Sequence, residues 1–228
     1  MVSPHLDDGV LSLGAAMASW ARRGSHVELL TVLACDPDSD APAGGWDRRA
    51  GHSTEGESAR ARREEDRRAC EHLGASPRWL PFGSVDYERH GTDDEVRDAV
   101  AARADRADAL LVPAFPLSHP DHAWLARVLA GGRYGCCRLG LYAEEPYTRR
   151  GSDPTIPGWI MEILEEEVDF NPVSAALRDR LAKWRAIREY GSQLPLLGMA
   201  RSLRRGPLAV ALAREAVAWS SDPGRRPH

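Results

Sequence analysis

The sequence has no long apolar run, few cysteines and almost no lysine, and each shortage argues against a class of protein. No uninterrupted apolar stretch in its 228 residues approaches the ~18 residues that a membrane-spanning helix needs. The four cysteines, Cys35, Cys70, Cys136 and Cys137, are too few and too irregularly spaced for a disulfide framework, so we expect reduced thiols. A basic segment followed by an apolar stretch is missing at the N-terminus, which predicts no signal peptide and a cytoplasmic protein.

Arginine supplies nearly all of the basic charge, because Lys183 is the only lysine. The formal net charge of −4 argues against nucleic acid or an anionic membrane as the main partner. The composition therefore predicts neither a nucleic-acid-binding nor a membrane-associated protein. The length suits one α/β domain that buries a substantial core. We predict a single domain over residues 1–228, in which residues 161–228 form a mostly helical C-terminal part.

Hydrophobic patterning predicts strands that alternate with helices. Short apolar segments predict strands at residues 26–34, 78–82, 109–115 and 136–143. Helical periodicity predicts helices near residues 10–21, 58–73, 93–104, 120–130, 171–190 and 207–219. The alternation indicates an α/β, Rossmann-like fold with a mostly parallel sheet and helices on both faces. Only Met1 to Pro4 precede the first motif, so we expect a truncated first strand and hypothesise a true start further upstream.

Two motifs rich in histidine and aspartate lie at predicted strand-to-helix junctions. SPHLDD occupies residues 3–8 and HPDH occupies residues 119–122. The first motif alone is equally consistent with an aspartate that caps a helix. Ligands bind at the carboxyl ends of parallel strands, where the two loops meet if their strands are neighbours. Two histidines and one carboxylate around an open position are typical of a hydrolytic zinc site, so the pair predicts a metal centre.

The SPHLDD and HPDH pair resembles the PIG-L/LmbE-like family of zinc-dependent N-deacetylases, which includes N-acetylglucosaminyl deacetylases and mycothiol-related enzymes. Weaker matches to that family are spread along the chain: Arg62, Glu65 and Ala69 ahead of Leu73-Gly74, then Lys183, Tyr190, Ser192, Gln193 and Glu215. The chain departs from the family pattern at Leu6, Gly9 and Leu117, none of which is an expected ligand. Some relatives have a tyrosine at the last of these positions.

The resemblance implies a role for each residue of the two motifs. His5, Asp8 and His122 would be the zinc ligands. Asp7 would act as the general base for the attacking water and would then return the proton to the leaving amine. His119 would polarise the carbonyl and stabilise the oxyanion. The implied cofactor is Zn²⁺, although another divalent metal is compatible with these ligands.

Several neighbouring residues have two readings. Asp121 would help to set the charge of His119, but a plain carboxylate at a helix terminus explains it nearly as well. The resemblance implies that Arg62 holds the substrate near the metal, while an arginine on an exposed helix face is the alternative. Trp46 and Tyr147 lie in predicted loops and could stack on a sugar, or could serve local packing.

The function implied by the resemblance is hydrolysis of an N-acetyl, or related N-acyl, group on an amino sugar or glycoside. The products would be acetate and a free amine. One alternative is an amidase that acts on a mycothiol-like thiol conjugate by the same chemistry. The other is a weakly active relative that binds a sugar-bearing ligand.

Overall fold

The computed structural model describes residues 1–87, 91–132, 134–135, 138–147, 153–198 and 214–223. Within these ranges the strands are β1 Val2–Ser3, β2 Glu28–Thr31, β3 Ser76–Trp79, β4 Ala109–Phe115, β5 Arg138–Ala143, β6 Asn171–Pro172 and β7 Ala216–Pro223. The helices are α1 Asp8–Arg22, α2 Gly45–Arg49, α3 Glu55–Leu73, α4 Asp93–Ala104, α5 Pro120–Ala130, α6 Gly158–Leu164 and α7 Leu177–Ile187, with a 3₁₀ turn at Val85–Tyr87.

The strands form two sheets, and the parallel pairs come from the first five strands. One sheet has the order β1-β2-β3, in which both pairs are parallel. The other has the order β4-β5-β7-β6, in which β4 and β5 are parallel and β7 runs antiparallel to both of its neighbours. The sheets adjoin where the Tyr142 hydroxyl of β5 donates to the Val2 carbonyl of β1 at 3.0 Å. The predicted α/β fold is confirmed, with β7 as an antiparallel addition.

Strand β1 is short, as the sequence predicts. Its two residues pair in parallel with β2, Val2 opposite Leu30 and Ser3 opposite Thr31. Backbone hydrogen bonds between the two segments extend beyond the strand, since the Leu30 N–H donates to the Met1 carbonyl at 2.8 Å. A short strand in this register still delivers the following histidine to the carboxyl edge of the sheet.

Helices cover both faces of the parallel strands. Alternation along β2 points Leu29 into a core built with α1, α3 and α7, and points Leu30 into a core built with α4 and α5. Both leucines are at most 3% exposed. Among the described residues, no helix is both long and apolar enough to cross a membrane.

The C-terminal part differs from its prediction. The expected helix over 207–219 is wrong at residues 216–219, which lie in β7, while residues 207–213 fall outside the described ranges. The expected helix start at Asn171 is also wrong, because Asn171–Pro172 form the edge strand β6 and α7 begins only at Leu177. A short apolar segment fits the periodicity of a helix as well as that of a strand. Antiparallel pairing with β5 makes residues 216–223 a strand.

Candidate metal centre and active site

The two sequence motifs meet at the carboxyl ends of β1 and β4. The first loop runs from β1 into α1, with Asp7 at the N-cap position. The second runs from β4 into α5, where the His119 ring nitrogen Nδ1 accepts from the Asp121 N–H at 3.2 Å. The ring centroids of His5 and His122 lie 5.1 Å apart. Because neighbouring strands deliver both loops to one edge, residues more than 110 positions apart share one site.

Polar contacts hold the first loop in an unusual conformation. The Ser3 hydroxyl donates to the His5 carbonyl at 2.6 Å and accepts from the Gly9 N–H at 2.9 Å. A Cβ on Gly9 would lie 2.5 Å from Leu29 Cδ1, so glycine permits the close approach of α1 to β2. Asp7 has a φ of 150°, which side-chain-bearing residues rarely adopt. Such strain is common where a backbone presents functional groups.

Three donor atoms in this site form a nearly equilateral triangle. His5 Nδ1 lies 3.1 Å from Asp8 Oδ2 and 3.2 Å from His122 Nε2, and the latter two atoms are 3.1 Å apart. Donors bound to one tetrahedral zinc ion at about 2.0–2.1 Å lie roughly 3.3 Å from one another. The spacing and the mixed nitrogen and oxygen donors therefore fit a zinc ion. His119 is close by, and the three histidines have ligand atoms within 4.8 Å of one another.

A carboxylate lies behind each of the two histidines in the triangle. His5 Nε2 is 3.0 Å from Asp121 Oδ2, and His122 Nδ1 is 2.7 Å from Glu144 Oε1. With the proton on the nitrogen that faces the carboxylate, the other ring nitrogen keeps its lone pair for a metal. Asp121 thus contacts His5 more closely than His119, whose Nδ1 is 3.8 Å from the same oxygen.

Glu144 lies beside the donor triangle, and the sequence patterns do not indicate it. It follows β5 directly, its side chain is fully buried, and its Oε2 accepts from the Leu117 N–H at 3.3 Å. Leu117 has a left-handed φ of 56° in the loop after β4. The sequence does carry a signal for Glu144, because it is an acidic residue directly after a buried strand. The carboxyl ends of neighbouring parallel strands lie at the same edge of a sheet.

Burial and mutual charge shift the acidity of these groups. Burial and the adjacent Asp8 raise the pKa of Asp7 to about 7, against the opposing charge of Arg62. Although burial acts in the other direction, contacts with His122 and His5 hold the pKa of Asp8 well below its usual range. Burial and the charges of His5 and His122 lower the pKa of His119. The Asp7 carboxyl, whose pKa is near neutrality, therefore lies beside the strongly acidic carboxyl of Asp8.

The triangle opens into a cavity of about 440 Å³. His119 is the most accessible of the three histidines, with 38% of its side chain exposed against 15% for His5 and none for His122. Trp46, which lies in α2 and not in the predicted loop, and Tyr147 both line the cavity, so both aromatic rings lie where a ligand would enter. The Trp46 indole N–H donates to the Gln193 side-chain oxygen at 2.7 Å, which fixes this ring at the wall.

Arg62 lies in the cavity wall, with only 12% of its side chain exposed. Its Nη1 is 3.4 Å from Asp47 Oδ1, and the other oxygen of Asp47 accepts from the Tyr87 hydroxyl at 2.7 Å. The neighbouring Arg60 and Arg63 instead donate to backbone carbonyls of the 35–57 segment. Arg62 is therefore a largely buried cation in the cavity wall, and not an exposed helix residue.

The chain belongs to the PIG-L family. The family profile described as PIG-L, GlcNAc-PI de-N-acetylase, matches residues 1–130, which contain both motifs. Comparison with curated protein sequences finds no match.

Solved structures with the same fold include several deacetylases. A triple mutant of Orf2, a deacetylase of the teicoplanin biosynthetic pathway, has a TM-score of 0.74 and 25% identity, over 97% of this chain and 98% of that one. The zinc-inhibited form of teicoplanin deacetylase Orf2 has a TM-score of 0.73 and 23% identity, over 96% and 95%. The N,N'-diacetylchitobiose deacetylase of Pyrococcus horikoshii, complexed with an inhibitor, has a TM-score of 0.61 and 16% identity, over 97% and 82%. An enzyme of the PIG-L family is the class that these findings define.

Proposed function

We propose that the protein is a zinc-dependent hydrolase that removes an N-acetyl, or related N-acyl, group from an amino sugar or glycoside. The observation that carries this proposal is the donor triangle at the floor of a cavity, flanked by Asp7 and His119. The fold, shared with a deacetylase of the teicoplanin biosynthetic pathway and with an N,N'-diacetylchitobiose deacetylase, supports the same reaction class.

His5, Asp8 and His122 are the proposed ligands, because their donor atoms have the spacing of one tetrahedral face. A bound zinc ion would supply Lewis acidity, polarising the acyl carbonyl and lowering the pKa of a coordinated water. Asp121 and Glu144 fix the ring orientations of the two histidine ligands.

Asp7 and His119 are the proposed catalytic groups. Asp7 lies beside a ligand and has a pKa raised to about 7, so its carboxylate can accept the proton of the attacking water at neutral pH. The water oxygen bonds to the acyl carbon, the C–N bond breaks, and Asp7 returns the proton to the leaving nitrogen. His119 Nδ1 accepts from the Asp121 N–H, so the ring carries its proton on Nε2 and donates it in a hydrogen bond to the oxygen that becomes negative. Arg62 supplies a second cation at the wall for a substrate oxygen.

Acetate release from a panel of N-acetyl amino sugars and glycosides, with and without a chelator, tests the proposal. We expect release that the chelator abolishes and that Zn²⁺ restores. Preferential cleavage of N-acyl thiol conjugates would favour the amidase alternative. A protein that binds these ligands without chelator-sensitive release would contradict the hydrolase proposal.

The variant Asp7→Asn tests the division of roles between the two adjacent carboxylates. Turnover should fall by roughly 10²- to 10⁴-fold, the contribution of a positioned acid–base group, while bound zinc is retained. Asp66→Asn is the matched control, because Asp66 is equally buried but bonds to Tyr190 and Trp79 outside the cavity. It should lower thermal stability and keep kcat. Loss of zinc from Asp7→Asn would mean that base and ligand are wrongly assigned.

A further inference from the structure

Helix α1, which carries Asp7 and Asp8 at its start, is broken at Leu13. The backbone there has φ −124° and ψ 22°, outside the helical region, so two helical segments meet at this residue. A break leaves amide N–H groups of the second segment and carbonyl groups of the first without partners along the helix. Every residue from Asp8 to Ser19 is buried, so water does not replace those partners.

A buried ion pair satisfies both sides of the break. The Glu215 carboxylate accepts from the Ala15 N–H at 3.0 Å and from the Ala16 N–H at 2.7 Å. Glu215 Oε1 also lies 2.6 Å from Lys183 Nζ, and Nζ is 3.4 Å from the Ser12 carbonyl oxygen. The carboxylate therefore lies at the positive end of the second segment, and the ammonium lies at the negative end of the first.

The surroundings of this pair leave it little freedom. Lys183 is 1% exposed and Glu215 is 5% exposed. A Cβ on Gly14 would lie 2.8 Å from Lys183 Cγ, so only glycine allows the lysine stem to pass so close to α1. Removal of one partner from such a pair leaves an uncompensated buried charge, which makes the arrangement costly to disturb.

The break in α1 is connected to the proposed metal donors in two ways, through the helix itself and through the segment that follows β5. Ser12 lies one helical turn after Asp8, so a shift of the first segment moves both carboxylates of the first motif. The Ser12 hydroxyl also accepts from the Glu145 N–H at 3.2 Å. Glu144, the residue before Glu145, has its carboxylate 2.7 Å from His122 Nδ1.

We propose that the Lys183–Glu215 ion pair is a positioning device that holds the first segment of α1, and with it Asp7 and Asp8, in register with the two ligand histidines. The proposal rests on the metal site of the proposed function. Both residues act through α1 and contact none of the three donor atoms of the triangle, so they are positioning residues. The C-terminal part of the chain is then needed for the geometry of a centre whose donors all lie before it.

The double variant Lys183→Met with Glu215→Gln removes both charges and leaves no unpaired ion. The matched control is Arg22→Met with Asp179→Asn, which removes a bidentate ion pair between α1 and α7 with both contacts at 3.0 Å. The dissociation constant for Zn²⁺ alone, by competition with a chromophoric chelator, should rise about 10-fold or more in the first variant. In the control it should equal that of the wild type.

Hydrogen exchange of the metal-free proteins gives a readout that does not need the ion. Amides of residues 9–12 should exchange faster in the Lys183→Met/Glu215→Gln variant than in the wild type or the control. A merely structural role would lower the melting temperature of both double variants and leave both readouts unchanged, which would overturn the proposal. A wild type that binds no Zn²⁺ would instead contradict the proposed function, and the exchange data would still decide the role of the ion pair.

The single variant Glu215→Asp keeps the test available if the double variant does not fold. It retains the charge and withdraws the carboxylate by one methylene, so its reach to the two amides is reduced. We expect a several-fold rise in the Zn²⁺ dissociation constant and a lower kcat at little-changed KM. Wild-type values for both, together with wild-type exchange, would overturn the proposal.

Discussion

The residues up to 130 and the described residues that follow contribute unequally to the same site, although each part supplies a carboxylate, Asp121 or Glu144, behind one histidine of the triangle. The first part supplies every donor atom of the triangle and both proposed catalytic groups. The second part supplies supporting contacts: Glu144 Oε1 lies 2.7 Å from His122 Nδ1, Glu215 accepts from a backbone N–H of α1, and Gln193 accepts from the Trp46 indole of the cavity wall. The family profile matches the first part alone.

The first part therefore determines which donor atoms form the centre, and the second part helps to hold those atoms in position. Donor atoms must be of particular types at particular spacings, so they recur in short motifs. A supporting carboxylate needs only to reach its partner, and it can come from any element that packs nearby. Changes in the second part are therefore expected to alter how firmly the proposed donors are held, and not which donors they are.

The largest effect that would test this comparison is expected at Glu144. Glu144→Gln keeps the shape of the side chain but removes the charge that lies 2.7 Å from His122 Nδ1. Loss of an outer partner of a ligand histidine costs about 10- to 100-fold in metal affinity, so the Zn²⁺ dissociation constant should rise by that factor. Competition with a chromophoric chelator measures it.

Asp121→Asn provides the counterpart from the first part of the chain, since Asp121 lies 3.0 Å from His5 Nε2. Similar losses in the two variants would show that both parts support the centre equally. The exposed Glu162→Gln on α6 is the control and should bind Zn²⁺ like the wild type. An unchanged affinity in Glu144→Gln would mean that Glu144 does not support the proposed ligand His122.

The sequence predicts the parallel strands and their helices well, because their patterns are local. The strand over 109–115 and the helix over 93–104 have the predicted bounds. Strand β7 was missed because the pairing of Val217 with Tyr142 is a contact between distant segments. Apolar periodicity over so short a run does not register that contact.

The same distinction explains what the sequence predicts of the site. The motifs bring together six residues of the first part, but no pattern indicates which oxygen lies behind which ring. Asp121 was therefore assigned to His119, although its carboxylate lies closer to His5. Glu144 went unnoticed because its role depends on β5 lying beside β4.

A smaller effect is expected at the cavity wall. Trp46→Phe keeps a ring but removes the N–H that donates to Gln193 at 2.7 Å. A hydrogen bond of this kind contributes about 0.5–1.5 kcal/mol, so KM for the N-acetyl substrate should rise roughly 2- to 10-fold, with kcat less affected. Steady-state kinetics measure both constants.

Trp79→Phe is the matched control for that variant. It removes an equivalent indole hydrogen bond, 2.8 Å long, to Asp66 outside the cavity. It should lower the melting temperature and leave KM unchanged. If both variants change only stability, Trp46 packs locally and its hydrogen bond to Gln193 has no role in selecting the substrate.

The smallest effect is expected at the surface end of the contact between α1 and α7. The hydrogen-bonded Arg22 guanidinium holds the pKa of Asp179 below its ordinary value. The pair therefore stabilises the fold above the unfolded pKa of about 4 and ceases to do so as the pH falls and Asp179 is protonated. Arg22→Met should lower the melting temperature slightly at pH 7, and the difference from wild type should shrink as the pH falls below the unfolded pKa of about 4 and through the lower folded pKa of Asp179.

Salt should reduce the same difference, because 35% of the Arg22 side chain is exposed and exposed ion pairs are screened. A difference that persists at low pH and high salt would mean that the arginine stem contributes by packing. The two ion pairs of α1 would then differ in kind, since only the buried Lys183–Glu215 pair would act through its charge. That outcome would sharpen the contrast between a surface contact that joins two helices and a buried one that positions a catalytic segment.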